Sequence, residues 1–237
     1  MKASYNWLRS LVPQLSASPA ELAQKLTQAG LEVEGISHFG AAAASCIVAK
    51  VVSMRPHPKK DGLRLVTIDK GGITQEVVCG APNVPEPGGL VVLAPLGTHL
   101  PAKGLTIQPR EIAGVKSEGM LCSEAELGLS DEGDGIMVLA PKSASAGAPL
   151  LTALPEAEDH IFEIGLTPNR PDCLGHIGLA REICALYNYT FAYPAQKPLV
   201  TGAPIEQAGI SIRVEDSVRC PQFSAACAYG VKVSASP

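Results

Sequence analysis

The sequence has 237 residues, a formal net charge of −4 and a hydrophobic content of 46%. This length suffices for one large or two modest domains with an apolar core, and the negative charge excludes a globally basic nucleic-acid-binding protein. Any binding to nucleic acid must therefore use a local patch. The N-terminus lacks the apolar core of a signal peptide, and no run of about eighteen apolar residues occurs, so we expect neither secretion nor a membrane span.

The first forty residues predict two short helices and a weak strand. Ser4 can cap a helix that ends before Pro13, and Ser18–Glu21 (SPAE) has the form of a capping box with proline in the first turn. Alternation over Leu31–Ile36 indicates a strand. A segment of about 35 residues cannot bury enough surface to fold alone. We therefore expect it to pack against a later part of the chain.

Small residues at Gly40–Ser45 (GAAAAS) predict a hinge and a first domain boundary, after which short apolar runs alternate with Gly/Pro turns. This pattern favours a small antiparallel barrel or sandwich. Asp69–Gly72 (DKGG) indicates a hairpin turn, and Pro141–Gly147 closes the unit near residue 149. The predicted strands are Cys46–Met54, Leu63–Asp69, Glu76–Cys79, Leu90–Ala94, Ile107–Ile112 and Ile136–Leu139.

The segment Arg110–Leu129 combines a turn between Gly114 and Gly119 with an acidic helix start at Ser123–Glu126. Capping and solubility explain its carboxylates, since nothing pairs two of them at a defined site. The loop is compact, but by itself it indicates no chemistry.

After residue 150 the pattern predicts a strand at His160–Leu166, a loop at Thr167–Cys173 and a helix capped by Asp172. Alternation at Ile210–Val214 and Ala228–Val233 predicts the first strands of a further domain. The apolar face expected for the helix contains Ile177, Ala180, Ile183, Cys184 and Tyr187.

The seven cysteines are odd in number and form no C-x-x-C pair. We interpret them as reduced, mostly buried thiols of a cytoplasmic protein. A redox or zinc protein is the alternative, but the His and Cys spacings do not favour a zinc site.

Charge is distributed unevenly along the chain. Lys50–Lys70 contains six Lys and Arg against two Asp, whereas Glu111–Asp134 contains seven acids and one lysine. The basic run is either a solvated face or a surface for nucleic acid, which small barrels often bind. No P-loop, G-x-S-x-G, H-E-x-x-H or G-x-G-x-x-G motif occurs. The residues alone indicate a binding module without a visible active site.

Three blocks in the middle of the chain resemble the tRNA-binding OB-fold shared by several tRNA-associated proteins. They are His57–Leu63 (HPKKDGL), Val78–Asn83 (VCGAPN) and Lys116–Glu124 (KSEGMLCSE). Taken alone, they fit a free-standing tRNA-binding cofactor or the appended domain of methionyl-tRNA synthetase.

The flanking blocks decide between these possibilities, because they resemble the bacterial phenylalanyl-tRNA synthetase beta subunit. The resemblance covers essentially the whole sequence in order. These blocks are Ser4–Leu8 (SYNWL), Gly30–Glu34 (GLEVE), Thr167–Leu174 (TPNRPDCL) and Gly178–Glu182 (GLARE).

The resemblance implies an α+β fold with a split N-terminal α/β domain at residues 1–39 and 150–195. It implies an inserted five-stranded OB-fold β-barrel at 40–149, and the first strands of a truncated editing domain of the B3/B4 type at 200–237. The implied function is ATP-dependent charging of tRNA(Phe) with phenylalanine by a class II ligase in cytoplasmic protein biosynthesis. The chain would be the N-terminal part of its beta subunit and would contribute tRNA binding and subunit assembly.

The implied partners are tRNA(Phe) and the alpha subunit, in an α2β2 heterotetramer, with no membrane and no DNA. The complete enzyme would need ATP and Mg²⁺, but the resemblance places no cofactor, metal site or catalytic residue in this chain. The family block usually reads His-Pro-x-Ala-Asp-basic-Leu, whereas Lys60 and Gly62 stand here at the alanine and basic positions.

The expected tRNA contacts lie in the basic run and in the third block. Three further residues match the family loop before the last helix, where they would fix the loop or meet the alpha subunit: Asn169, Arg170 and Asp172. The expected tRNA contacts are Lys50, Arg55, His57, Lys59, Lys60, Arg64, Lys116, Ser117, Met120 and Ser123. The alternative from a different class is an assembly module with negligible RNA affinity.

Overall fold

The computed structural model describes residues 1–131, 133–195, 209–228 and 230–234. The chain divides into two units, Met1–Tyr193 and Pro194–Pro237. The helices are α1 Tyr5–Leu11, α2 Pro19–Gln28, α3 Glu124–Leu127, α4 Leu150–Ala153 and α5 His176–Tyr187. The strands are β1 Lys2–Ser4, β2 Glu32–Phe39, β3 Ile47–Pro56, β4 Arg64–Asp69, β5 Thr74–Cys79, β6 Leu90–Pro95, β7 His99–Leu100, β8 Leu105–Thr106, β9 Arg110–Ile112, β10 Val115–Ser117, β11 Gly119–Leu121, β12 Val138–Leu139 and β13 Asp159–Gly165.

A three-stranded antiparallel sheet joins the beginning of the first unit to its end. Strands β1 and β2 both pair with β13, in the order β1-β13-β2. Helices α1, α2 and α5 contribute apolar side chains to the same core. Strand β13 and helix α5 are therefore the later partners that the opening helices need. The fully buried side chains of this core include Leu8, Leu22, Leu26, Phe162, Ile164, Leu179 and Ile183.

The helix starts in the opening segment are the predicted ones. Ser4 Oγ accepts a hydrogen bond from the Trp7 backbone N–H (2.9 Å), and α1 ends two residues before Pro13. At α2, Ser18 Oγ accepts from the Glu21 N–H while a Glu21 carboxylate oxygen accepts from the Ser18 N–H (2.7 Å). This capping box is confirmed.

A six-stranded antiparallel sheet occupies the middle of the first unit. Its main path runs β11-β6-β3-β4-β5, with β12 paired to β6. The turn between β4 and β5 is the predicted one: Asp69 Oδ1 accepts from the N–H groups of Gly71 (3.0 Å) and Gly72 (2.7 Å). Strand β6 is buried from Leu90 to Ala94, because one apolar cluster packs on each of its faces.

The chain combines helices with antiparallel sheets, as expected for an α+β fold. The predicted closed five-stranded barrel is not confirmed. In the described residues no backbone ladder joins the edge strands β5 and β11. Side chains bridge the gap instead. Gln75 Nε2 donates to the Glu118 carbonyl (2.8 Å), and Ser117 Oγ accepts the Val78 N–H (3.2 Å). Ser117 ends β10 and Glu118 lies between β10 and β11, so these bonds connect β5 to the segment that leads into β11.

The segment Gly40–Ser45 was expected to be a hinge, and that expectation is wrong. Ala42 and Ala43 are fully buried in the apolar cluster on one face of β6. At Gly40 the backbone has φ of +65°, and a Cβ placed there would overlap the Ala157 carbonyl oxygen at 1.8 Å. Glycine is required by this close approach, so the small residues form a packed connection.

The start of α5 also differs from the prediction. Its N-cap is Gly175, and Asp172 lies in a preceding 3₁₀ turn, where it binds Arg170 instead of the helix. The predicted apolar face is buried at Ala180, Ile183 and Cys184 but not at Ile177, which is 44% exposed.

The predicted strands at Ile210–Val214 and Ala228–Val233 are not formed in the described residues 209–228 and 230–234. Their apolar side chains are exposed, with Val233 fully accessible, and no neighbouring strand accepts their backbone hydrogen bonds. The assignment of a third domain at 200–237 stays a prediction, and residues 200–208 lie outside the described residues. In the described ranges no helix is long and apolar enough to cross a membrane.

Candidate nucleic-acid interface

The basic run predicted from the sequence lies on β3, on the loop that follows it and at the start of β4. Lys50 and Arg55 are exposed on β3, and Lys59 and Lys60 are exposed on the loop. Arg55 forms an ion pair with Glu76 (2.9 Å) across the sheet. The ammonium groups of the loop form no ion pair in the described part of the chain, so they are free to meet an anion.

His57 fixes the basic loop from beneath and is only 5% exposed. Its Nδ1 accepts the Lys59 backbone N–H at 3.1 Å, so the ring proton resides on Nε2. Nε2 lies 3.2 Å from the Ile112 carbonyl oxygen, to which it donates. The His57 backbone N–H also donates to the Leu63 carbonyl (2.9 Å), which closes the loop. Both ring nitrogens are therefore used inside the protein.

The hairpin formed by β9 and β10 lies against this loop. Its two turn residues, Ala113 and Gly114, have positive φ angles of 49° and 85°. A Cβ placed on Gly114 would lie 3.0 Å from Lys59 Nζ, so the lysine side chain packs over the turn. Lys116 is exposed on β10 but forms an ion pair with Glu118. Its charge is thus partly neutralised.

The remaining predicted contacts in the third block are less accessible. Ser117 is 4% exposed and Ser123 is 5% exposed. The Ser117 hydroxyl accepts the Val78 N–H, while Ser123 forms a capping box with Glu126 at the start of α3. Met120 is half-buried on β11. The two hydroxyls maintain the fold and offer little to a ligand.

Arg64 is half-buried and lines a groove of about 760 Å³ beside the basic loop. One guanidinium nitrogen is 3.4 Å from the Pro82 carbonyl oxygen, and most of its donors remain unused. The groove is also lined by Pro56 at the end of β3 and by two loops, through Leu63, Gly80, Ala81 and Pro82. Residues that are distant in the sequence line this groove, because pairing of the strands brings their loops side by side.

The acidic segment begins at the exposed Glu111 on the β9–β10 hairpin beside the basic loop, whereas most of its carboxylates follow β11, between Glu124 and Asp134. Asn83 accepts from the Ile136 N–H and donates to the Ile136 carbonyl, both at 2.8 Å, which fixes the segment before β12. Glu126 caps α3, and Glu124 accepts from Ser130 at 2.9 Å. These carboxylates have the structural roles expected from the sequence. A phosphate backbone would be repelled from this side.

A polar network surrounds the second predicted group. Arg170 donates to Asp172 (3.0 Å) and to Glu182 on α5 (2.8 Å), so its guanidinium bridges the loop and the helix. Hydrogen bonds from Arg170 and then from Cys173 lower the pKa of Asp172 to about 2. Bonds to Asp172 and Glu182 raise the pKa of Arg170. Asn169 is exposed beside this network.

All seven cysteines are free thiols, and the five up to residue 184 are buried. Burial raises the pKa of Cys46 to about 11 and raises that of Cys122 as well, so neither is a reactive thiolate. Within the described residues, one group could hold a metal ion: Asp172, Cys173 and Glu182. The Arg170 guanidinium already binds both carboxylates, and its positive charge opposes a cation there.

Comparison with known proteins supports a tRNA-related interpretation. A family model described as "Putative tRNA binding domain" matches residues 46–149. The phenylalanine–tRNA ligase beta subunit of Syntrophotalea carbinolica is 42% identical over 100% of this chain and 29% of its own length. That of Geobacter sulfurreducens is 43% identical over the same shares. The whole of this chain resembles part of the phenylalanine–tRNA ligase beta subunit. The resemblance found in the motifs is thereby confirmed.

The chain spans 29% of the length of these curated relatives. A crystal structure of a MetRS-related protein from Pyrococcus horikoshii is 19% identical and covers 44% of this chain and 85% of its own, with a TM-score of 0.31. The segment matched by the tRNA-binding model contains all ten expected tRNA contacts, whereas Asn169, Arg170 and Asp172 lie outside it. The role of each of these residues stays a prediction.

Proposed function

We propose that this chain is the tRNA-binding and assembly part of a phenylalanine–tRNA ligase beta subunit. The observation that carries the proposal is the exposed pair Lys59 and Lys60, on a loop fixed by His57 inside the segment matched by the tRNA-binding model. Ammonium groups on a fixed loop suit phosphate oxygens, which supply most of the affinity for nucleic acid.

We also propose that residues 40–149 form an OB-fold inserted into a split domain at 1–39 and 150–195. The side-chain bonds from β5 to Ser117 on β10 and to Glu118 before β11 support a barrel-like curl in the insert. The core shared by residues 3–31 and 162–184 supports the split domain. The tRNA interface would then lie on the loop between β3 and β4, and the acidic segment would keep RNA away from α3.

The complete enzyme would charge tRNA(Phe) with phenylalanine in the cytoplasm, together with an alpha subunit. That activity requires ATP and Mg²⁺ in the family that the chain resembles. Within the described residues, the one cluster that could hold a metal ion already binds the Arg170 guanidinium through both of its carboxylates, so it does not fit Mg²⁺. No catalytic step is therefore assigned to this chain.

The binding mechanism is electrostatic. Lys59, Lys60 and Arg64 would each neutralise a phosphate and release its counterions. About three such contacts give a log–log salt slope of about −2, at roughly −0.7 per phosphate for single-stranded segments.

A mobility-shift titration of the whole chain with tRNA(Phe) at low salt tests the proposal. We expect a shifted band that disappears as salt rises. Absence of a shift at low salt contradicts RNA binding by this part, and it favours the assembly module. A shift of equal strength with unrelated tRNAs would instead favour a stand-alone tRNA-binding cofactor.

Assembly is the second candidate function, and the Arg170 network favours it. The network joins an exposed loop to α5, with Asn169 and Leu174 at its surface. We propose that this loop meets the alpha subunit. Copurification with an alpha subunit tests this, and Asn169→Ala should weaken it without lowering thermal stability. Equal copurification of the variant would contradict this role.

A further inference from the structure

We propose that His57 is a positioning residue, which ties the basic loop to the β9–β10 hairpin so that Lys59 and Lys60 are held ready for phosphate. The proposal rests on the proposed function and refines it, because His57 was expected to contact tRNA itself. At 5% exposure, with both ring nitrogens committed to backbone partners, the imidazole cannot serve as that contact.

The two hydrogen bonds of the His57 ring connect segments that are 55 residues apart in sequence. Nε2 binds the Ile112 carbonyl on β9, and Nδ1 binds the Lys59 N–H on the loop. One imidazole thus spans the loop and the hairpin. Pro56 and Pro58 flank His57 and restrict the backbone on both sides, so the ring has few other positions to occupy.

The tie places Lys59 over the hairpin turn. Its Nζ lies close enough to Gly114 that any Cβ there would sit 3.0 Å from it. The positive φ of Gly114 and the missing side chain together create this space. Holding a long flexible side chain in place before binding lowers the conformational cost of contacting RNA. The hairpin therefore acts as a support for the lysine.

A double-mutant cycle tests whether His57 acts through the lysines. Asparagine at position 57 can still accept the Lys59 N–H, as in an Asx turn, but its side chain is too short to reach Ile112. We expect His57→Asn to weaken tRNA binding at least about twofold, the lower bound for coupled contacting residues. It should add nothing when Lys59 and Lys60 are already alanine. His57→Gln, whose amide can donate to Ile112, should recover part of the loss.

The outcomes separate the two proposals. Loss of affinity of equal size in both backgrounds, or no loss in the natural sequence, overturns the positioning role. Absence of tRNA binding by the unmodified chain overturns the positioning role and the proposed function together. Melting temperatures of each variant ensure that only folded proteins enter the cycle.

A second variant approaches the same contact from the hairpin and serves if His57→Asn does not fold. Gly114→Ala adds a Cβ at a positive φ and displaces Lys59 Nζ. Gly97→Ala is its matched control, because Gly97 has φ of +88° and nothing within 4 Å of an added Cβ. We expect weaker tRNA binding for Gly114→Ala alone. Equal affinities of the two variants would overturn the support role of the hairpin.

Discussion

The three-stranded sheet and the six-stranded sheet use polar groups in opposite ways. The core beneath the first sheet is built from buried apolar residues, and its polar bonds, such as those of Asp159 with Ser4 and Asn6, are partly or fully exposed. All four buried polar side chains of the described residues lie in the second region: His57, Thr98, Ser117 and Ser123. Apolar side chains fill the core of the first region, and its polar contacts lie nearer the surface, whereas buried directional bonds fix the loops and edges of the second region, where the candidate interface lies.

The largest expected effect is on the apolar core. Phe162 on β13 is fully buried between the helices and the sheet, so Phe162→Ala should destabilise the protein by about 3–5 kcal/mol through lost burial and a cavity. Urea unfolding measures the change. Leu174→Ala, at a side chain that is 67% exposed, is the control and should change stability by less than about 0.5 kcal/mol. Similar effects for the two variants would refute the assignment of this core.

Removing one directional bond should have a smaller effect in the second region. Ser117→Ala leaves the Val78 N–H without its acceptor between β5 and β10, at a cost of about 1–3 kcal/mol. Chemical denaturation and hydrogen exchange at Val78 report the loss. Ser10→Ala removes an exposed hydroxyl that donates to Trp7 and should be nearly neutral. Unchanged protection of the Val78 amide would contradict the bridge between the strands.

The hairpin turn offers a test in the stabilising direction. Ala113 has φ of 49°, a left-handed conformation that disfavours side chains with a Cβ. Ala113→Gly should stabilise the protein by about 0.5 kcal/mol, because relief of strain exceeds the added backbone entropy. Ala113→Val, with a branched Cβ, should destabilise it. Thermal unfolding compares the three proteins, and the opposite order would argue against this turn geometry.

The first region contains a pH-dependent contact with the smallest expected effect. His176 Nε2 accepts the Ser4 N–H (3.0 Å), and burial lowers the pKa of His176, opposed by the charge of Asp159. Because the folded pKa lies below the unfolded value, this contribution is complete above about pH 6.5 and is lost as pH falls through the folded pKa. The drop in melting temperature from pH 7.5 to pH 5 should be smaller in His176→Phe. An identical drop would contradict the assignment.

The sequence predicted the features that depend on neighbours along the chain. Both capping boxes join residues three positions apart, and the Asp69 turn closes within four residues. The expectation that the opening helices pack against a later segment is confirmed, but predictions for individual residues failed where a tertiary contact decides the outcome. The Gly40 segment packs on Ala157, and Asp172 binds Arg170, whose guanidinium is fixed by Glu182 twelve residues further along the chain. Local pattern carries no information about such contacts.

The same limit applies to the candidate site. The exposed lysines of the basic loop follow from composition, and they lie where the motif suggested. His57 and Ser117 were also expected to contact RNA, but their partners lie 55 and 39 residues away, and these bonds turn both side chains inward. Residue type indicated polarity correctly, while only the tertiary structure determines what each polar group binds.

The salt dependence of tRNA(Phe) binding tests the central claim most directly. Fluorescence anisotropy of labelled tRNA over a salt series would compare the natural chain with a variant in which Lys59, Lys60 and Arg64 are alanine. We predict a log–log slope of about −2 for the natural chain and a clearly flatter slope for the variant. Equal slopes for the two proteins would contradict binding through the basic loop.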